Sequence, residues 1–143
     1  MLRITKKTEY GIIALKHILN KPEGRIVKAK EIAELYNIPS EIMAKILQKL
    51  TRNGIICSTQ GAKGGYLLAR AGSKISLSDI IETIEGPFGI VECMNDDDCN
   101  CMQITNCNIS DPFRIIQQRF KTLLANISLA DLDNELEIQK VVV

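Results

Sequence analysis

The sequence has no apolar run that approaches the roughly 20 residues a membrane-spanning helix needs. Its N-terminus, MLRITKKTEYGII, lacks the apolar stretch and small-residue cleavage site of a secretory signal. We also find no nucleophile–base pair and no phosphate-binding loop, so nothing in the sequence predicts an enzyme. These absences predict a cytoplasmic protein that binds a partner, with no membrane association.

The formal net charge of the 143 residues is only +1, but the two halves of the chain carry opposite charges. Residues 1–75 hold 14 Lys and Arg against 5 Asp and Glu, a net charge of +9. Residues 76–143 hold 4 against 12, a net charge of −8. A basic half suits a polyanionic partner, although chance clustering of solvated charges would explain the charges alone equally well.

Three short helices are predicted in the basic half, at about residues 7–19, 28–36 and 39–53, because apolar residues recur there at helical spacing. The third helix has an apolar face and a polar, mostly basic stripe. Two helices joined by a tight turn, the second with such a stripe, are typical of a helix-turn-helix motif. The stripe and its neighbour comprise Glu41, Lys45, Gln48, Arg52 and Lys49.

A glycine-rich hairpin follows, with predicted strands at 55–59 and 66–70 around the tip at 60–65. A helix-turn-helix followed by such a hairpin predicts a winged helix, whose glycines allow tight turns and close approach to phosphates. We expect the lysines and Arg52 to neutralise phosphates, and Glu41, Lys45 and Gln48 to face base edges. The full predicted set for double-stranded DNA is Glu41, Lys45, Gln48, Lys49, Arg52, Gln60, Lys63, Gly64, Gly65 and Tyr66.

Other ligands for this half of the chain are less well supported. Winged helices also bind proteins, so a protein partner is the alternative to DNA. Single-stranded nucleic acid is disfavoured because the stripe has no interleaved aromatic residues on which bases could stack.

Four of the five cysteines, Cys93, Cys99, Cys101 and Cys107, lie within fifteen residues of a stretch, 87–110, that shows no periodicity. In a cytoplasmic chain such clustering indicates metal or redox chemistry. Thiolates are the usual ligands of iron–sulfur clusters, whereas gaps of five, one and five residues match the knuckles of structural zinc sites poorly. An iron–sulfur cluster is predicted, with zinc, a redox disulfide or an inert loop as alternatives. Cys57 is expected to be a small core residue.

A last helix is predicted at residues 111–132, where Asp111 caps the start and Pro112 suits the first turn. Its apolar residues alternate at spacings of 3 and 4, the rhythm of a helix that pairs with another helix, although burial on the protein's own core would give a similar pattern. These residues are Phe113, Ile116, Phe120, Leu123 and Ile127.

The expected fold class is therefore mainly α with a small β-hairpin wing. It divides into a winged helix-turn-helix domain at 1–86, a cysteine loop at 87–110, a dimerisation helix at 111–132 and a flexible tail at 133–143.

The sequence resembles the IscR/NsrR-type family of bacterial winged-helix regulators over nearly its whole length. The features that carry the resemblance are the opening Leu2-Arg3-Ile4-Thr5-Lys6 with Glu9-Tyr10-Gly11, Ile32-Ala33 with Ile38-Pro39, the wing Gly61-Ala62-Lys63-Gly64-Gly65-Tyr66-Leu67-Leu68, the cysteine loop, and Ile127-Ser128-Leu129-Ala130-Asp131-Leu132. The resemblance implies homodimers that bind palindromic promoter sites. It also implies a [2Fe–2S] or [4Fe–4S] cluster held by three cysteines and a fourth ligand that varies.

By position, Cys93 and Cys107 match the first and last of the family's cysteines, and the middle one is either of the two between them. Some members have a histidine three residues after the last cysteine, where this chain has Ser110. The fourth ligand is therefore open: it is the remaining cysteine, or Glu9 supplied by the partner subunit, since some relatives use a carboxylate in the first helix.

These features imply a repressor or activator whose promoter affinity changes when iron, oxygen, nitric oxide or iron–sulfur status alters the cluster. A cluster-free regulator of the same fold that responds to thiols or an effector is the main alternative. An iron–sulfur electron-transfer protein is the other.

Overall fold

A computed structural model describes residues 3–94 and 99–142 of the chain, so Leu2 and the Asn95–Asp98 part of the cysteine loop lie outside it. The described residues form six α-helices and one two-stranded antiparallel sheet, which confirms the predicted fold class. None of these helices is both long and apolar enough to cross a bilayer. The elements are α1 (Lys6–Leu19), α2 (Ala29–Leu35), α3 (Ser40–Arg52), β1 (Ile56–Thr59), β2 (Gly65–Leu68), α4 (Leu77–Glu85), α5 (Ser110–Ala125) and α6 (Glu135–Val142).

Helices α1, α3 and α4 enclose the core, and α2 packs on α3. The Thr5 hydroxyl caps α1 by accepting a hydrogen bond from the Thr8 backbone N–H at 3.4 Å. Gly11 lies where α4 approaches α1 so closely that a Cβ would collide with the Ile84 side chain. On α3 the apolar face turns inward, and its stripe of polar residues is left exposed. The buried face of α3 consists of Met43, Ile46, Leu47 and Leu50.

The wing is the hairpin of β1 and β2, paired in a register that sets Ile56 opposite Leu68. A second connection ties the wing to the segment before α2: Val27 and Tyr66 exchange backbone hydrogen bonds of 3.0 and 2.8 Å. The prediction of a buried Cys57 is wrong, because side chains alternate across a strand and Ile56 takes the inward position. Cys57 is therefore exposed on the outer face of β1.

The end of α5 differs from the prediction of a continuous helix to residue 132. The helix stops at Ala125, because the chain then turns back to pair with the start of α4. Leu77 N–H donates to Ile127 O and Leu129 N–H donates to Ile75 O, each at 2.8 Å. We call these paired segments, 75–79 and 127–131, the clasp. They contain two reciprocal Ser–Asp caps, Ser76 with Asp79 and Ser128 with Asp131.

Most of the tail that was predicted to be flexible is helical in the structure. After a short 3₁₀ turn at Ala130–Asp133, residues Glu135–Val142 form helix α6. An ion pair between Lys140 and Glu137, at 2.5 Å and one turn apart, lies on its surface. The helix packs on the preceding 3₁₀ turn, so the fold extends beyond the expected end of the last helix.

Candidate nucleic-acid interface and cysteine cleft

A groove of about 490 Å³ lies between α3 and the wing. It brings together six of the ten residues that the sequence assigned to DNA contact: Gln48, Arg52, Gln60, Gly64, Gly65 and Tyr66. The helical stripe and the hairpin thus form one polar surface, although α3 and β2 are separated in the sequence. Such a surface can offer amide, guanidinium and hydroxyl groups to phosphates and base edges.

The other four predicted DNA-contact residues lie outside this groove. Glu41 and Lys45 are exposed on the stripe towards the start of α3, and Lys63 is exposed at the tip of the wing. Lys49 points towards α4, where its ammonium group donates to the Ile84 carbonyl oxygen at 3.0 Å. One residue along a helix is a rotation of about 100°, which carries Lys49 off the face that Gln48 shares with the wing.

Gly64 and Gly65 have a structural reason to be glycine that sequence analysis did not supply. A Cβ at Gly65 would lie 2.5 Å from the Val27 carbonyl oxygen, and one at Gly64 would collide with the Thr59 carbonyl oxygen. Neither residue has a positive φ, whereas Gly61 at the turn has a φ of 102°. The missing side chains therefore let the wing pack on its own backbone and on the strand-like segment at Val27.

Sequence analysis missed four polar residues that line the groove: Lys28, Thr51, Ser58 and Thr59. Thr51 follows Gln48 by three residues and so lies on a neighbouring position of the same helix surface, a signal that could have identified it. Lys28 could not have been found from local spacing. Its ammonium group donates to the Ala62 carbonyl oxygen at 3.0 Å and ties the start of α2 to the tip of the wing.

A polar network around the buried His17 holds the turn before α2 in place. His17 of α1 is buried, and its two ring nitrogens lie 2.9 Å from the Tyr36 hydroxyl and 2.9 Å from Glu31 Oε1. The two carboxylate oxygens of Glu31 also accept a forked pair of bonds from Arg25, at 3.1 and 3.2 Å. The hydrogen bond from His17, and after it those from Arg25, lower the pKa of Glu31 below its ordinary value. The turn carrying Val27, on which the wing packs, is thereby fixed to α1.

The cysteine loop forms a second site, an open cleft of about 620 Å³ at the start of α5. All four loop cysteines, Cys93, Cys99, Cys101 and Cys107, line this cleft, and all four are half-buried free thiols. Cys93 lies in a 3₁₀ turn, Glu92–Met94, and a second 3₁₀ turn, Ile104–Asn106, directly precedes Cys107. Apolar walls come from Val91, Met102, Ile109 and Phe113. All four loop cysteines therefore border the same cleft.

The chemistry of the four loop thiols fits an iron–sulfur core. Over residues 3–94 and 99–142, no three His, Cys, Asp or Glu side chains converge closely enough to hold one ion. Four soft thiols that border one cleft have the donor chemistry that such a core needs.

Glu9 is the other candidate ligand, and Ser110 stands where some relatives have a histidine. Ser110 lines the cleft beside the thiols. Glu9 does not line the cleft of its own chain; it lies on α1 with a carboxylate oxygen 2.6 Å from the Lys6 ammonium group. The hydrogen bond from Lys6 to this carboxylate raises the pKa of Lys6.

These two sites, a winged helix with a polar groove and a loop of clustered thiols, define a winged-helix regulator as the class of protein. A family model described as Rrf2, iron-dependent transcriptional regulators, matches residues 4–135. The chain belongs to the Rrf2 family. Members of this family are transcription regulators rather than enzymes, and as such they bind DNA.

Solved structures of related regulators have the same fold. CymR, the global cysteine regulator of B. subtilis, is 28% identical, with a TM-score of 0.73 over 92% of this chain and 96% of that chain. The oxidized form of CymR from Staphylococcus aureus is 25% identical, with a TM-score of 0.70 over 93% and 97% of the two chains. IscR of T. potens is 24% identical, with a TM-score of 0.70 over 94% and 88%. The resemblance inferred from the sequence motifs is thus confirmed at the level of the family.

Proposed function

We propose that this protein is a cytoplasmic, homodimeric transcription regulator whose affinity for a palindromic promoter site is switched by an iron–sulfur cluster on the cysteine loop. The observation that carries the proposal is that Cys93, Cys99, Cys101 and Cys107 all line one cleft at the start of α5. When bound, the cluster supplies a core that oxygen, nitric oxide or iron shortage can alter. The thiols hold the loop in one arrangement while the core is present.

The geometry favours a ligand set drawn wholly from the loop. Cys93 and Cys107 are the outer ligands, and Cys99 and Cys101 fill the two remaining positions. The alternative ligand Glu9 is less favoured, because it does not line the cleft of its own chain and a carboxylate is a harder donor than a thiolate. Since no carboxylate is needed from the partner subunit, each chain holds its cluster by itself.

On the DNA side, the exposed stripe of α3 enters the major groove and the wing lies along the adjacent backbone. Gln48, Glu41 and Lys45 face base edges, whereas Arg52 and Lys63 contact phosphates. Gln60, Gly64, Gly65 and Tyr66 bring the wing's backbone and hydroxyl to the same groove. Lys49 is the one predicted phosphate ligand that this arrangement disfavours, because its ammonium group is bound to α4.

The exposed apolar face of α5 supports a dimer formed by a second copy of the chain. Ile116 is 48% exposed and Phe120 is 38% exposed, so the chain's own core does not bury this stripe. Phe113, Ile116, Phe120 and Leu123 are spaced 3, 4 and 3, a pattern that reads the same in both directions. The α5 helices of two copies can therefore pair antiparallel about a two-fold axis at the level of residue 118. This pairing sets Ile116 against the partner's Phe120 and Phe113 against the partner's Leu123. A two-fold dimer of winged helices suits a palindromic site.

A cluster-free, thiol- or effector-responsive regulator is the second candidate. One observation favours it: the similar structures include a global cysteine regulator and an oxidized form of CymR. In that protein the same four thiols would respond to the redox state directly. The two candidates share the fold and the DNA interface and differ only in what occupies the cleft.

Anaerobic purification decides between the candidates. The cluster hypothesis expects coloured protein with iron and inorganic sulfide, and substitution of Cys93 or Cys107 by Ala should abolish the visible absorption. Glu9→Ala should leave it unchanged, as should Cys57→Ala, a matched control because Cys57 is an exposed thiol outside the cleft. Colourless protein without iron or sulfide would refute the cluster and leave the thiol-responsive regulator.

DNA binding is measured on a duplex recovered by anaerobic selection from a randomised library. Holo and apo protein are compared at one salt concentration, because counterion release makes every such affinity depend on salt. A coupling of about 1–3 kcal/mol would appear as a 5- to 150-fold difference in affinity. Equal affinities of the two forms would refute the switch while leaving the DNA-binding function intact.

A further inference from the structure

Gln117 is the buried polar residue of α5, only 7% exposed, and it faces away from solvent beside the apolar stripe. Both ends of its amide are engaged. The Nε2 group donates to the Phe88 carbonyl oxygen at 2.8 Å, and the Oε1 atom accepts from the Ile90 N–H at 2.8 Å. The side chain thus pairs with the segment 88–90 as a neighbouring strand would.

Aromatic and cationic contacts strengthen this attachment. The Phe88 ring packs edge-on against Phe120, with centroids 6.1 Å apart, and the Lys121 ammonium group lies 5.5 Å from the Phe88 centroid. Segment 88–90 is therefore fastened to α5 by residues of consecutive turns. Among the described residues, Gln117 makes the only hydrogen bonds between α5 and the backbone of segment 88–90.

Segment 88–90 leads directly into the cysteine loop. Cys93 follows Ile90 by three residues, and Cys107 precedes the start of α5 at Ser110 by three residues. The two outer cysteines are thus each joined to α5, Cys107 through the chain itself and Cys93 through the Gln117 amide. A group that fixes the separation of these two cysteines also fixes segment 88–90 relative to the start of α5.

We propose that Gln117 is the positioning residue through which the occupied or empty state of the cysteine cleft reaches the dimer helix. The inference rests on the proposed function. Gln117 touches neither the cleft nor the DNA groove, so it is needed for the response of DNA affinity to the cluster and not for either binding event. In a variant that lacks this amide, the thiols bind the cluster but α5 keeps the orientation that it has in apo protein.

The test compares Gln117→Met with Gln118→Met in full-length protein purified without oxygen. Gln118 is the matched control, because it is the neighbouring glutamine on the exposed side of the same helix. Iron and sulfide content, dimer mass and the affinities of holo and apo protein for the selected duplex are measured for both. We expect Gln117→Met to keep cluster and dimer while the ratio of holo to apo affinity falls towards unity. Gln118→Met should keep the wild-type ratio.

Hydrogen exchange of the Ile90 amide separates positioning from mere stability. Loss of its bond to Gln117 should speed this exchange by up to about tenfold in apo protein, without any cluster present. A wild-type affinity ratio in Gln117→Met would overturn the inference, as would unchanged Ile90 exchange. Should the Met variant not fold, Gln117→Glu has the same shape and still accepts from Ile90 but cannot donate to Phe88 when ionised. In that variant the ratio of holo to apo affinity should again fall towards unity, and a wild-type ratio would overturn the inference.

The proposed function fails on a different measurement. Wild-type protein that lacks iron and sulfide, or that binds DNA equally with and without its cluster, refutes the switch itself and removes the inference with it. A wild-type switch that persists in Gln117→Met refutes the inference alone.

Discussion

Substituting Ser for Ile116 should weaken the dimer, because Ile116 lies on the exposed apolar stripe of α5. The residue is 48% exposed in the single chain, so pairing with a partner would bury the remaining half of its side chain. Complete burial of such a side chain contributes roughly 1.5–3 kcal/mol, which gives about 1 kcal/mol for this half. A two-fold dimer contains the substitution once in each chain, so the dimer loses about 2 kcal/mol and its dissociation constant rises about thirtyfold.

Ile115→Ser is the matched control, since Ile115 is 57% exposed but lies about 100° around α5 from Ile116, off the apolar stripe. Both substitutions replace the same exposed residue type in the same helix, so their costs in helix propensity are equal. Sedimentation equilibrium of apo protein measures both dissociation constants. Ile115→Ser should change the constant by no more than about threefold, the range expected for a neutral surface position. Equal weakening by the two variants, or no weakening by Ile116→Ser, would refute the stripe as the dimer contact.

Three further predictions follow from the DNA groove and the network beneath it. Arg52→Gln should make the plot of log affinity against log salt less steep, by about 0.9 in the magnitude of its slope, which is the value for one phosphate contact. Lys49→Gln should leave that slope unchanged. Equal slopes for the two variants would contradict the assignment. Gly65→Ala should destabilise the fold by about 1–3 kcal/mol in urea unfolding, because its Cβ would lie 2.5 Å from a carbonyl oxygen; full stability would contradict this packing. His17 lowers the pKa of Glu31, so this carboxylate stabilises the fold above its ordinary pKa of about 4.3 and loses that contribution as the pH falls through its lower folded value. Unfolding measured between about pH 6 and 3 should therefore show a shallower decline of stability in Glu31→Gln than in wild type, and identical pH profiles would exclude the effect.

Elements governed by local chemistry could be predicted from the sequence. The spacing of apolar residues placed α3 and its inward face, and the glycine-rich tip between two apolar runs placed the hairpin of the wing. Elements governed by distant partners could not. Helix α5 ends at Ala125 because residues 127–131 pair with the start of α4, a contact between segments about fifty residues apart. Nothing in the local pattern distinguishes that ending from a longer helix.

The candidate sites divide in the same way. Sequence spacing collected the four thiols, and the structure places them on one cleft, because clustering in a short loop already limits how far apart they can lie. The direction of a single side chain was beyond sequence analysis. Lys49 reads as part of a basic stripe, yet its partner is a carbonyl oxygen of Ile84, 35 residues away. Cys57 follows two isoleucines that are both buried, so the alternation of the strand could not be fixed from the pattern alone.

A signal at the cysteine cleft has a short route to the DNA groove. The clasp joins the end of α5 to the start of α4 through two backbone hydrogen bonds of 2.8 Å, so a change in the tilt of α5 must move α4 or break those bonds. At the other end of α4, the Ile84 carbonyl oxygen accepts the Lys49 ammonium group, which extends from the helix proposed to read DNA. Lys49, which the sequence pattern assigned to phosphate contact, therefore links α3 to α4. Because α4 also packs on α3, a displacement of α4 would reorient α3 and, in the proposed two-fold dimer, would change the separation of the two recognition helices.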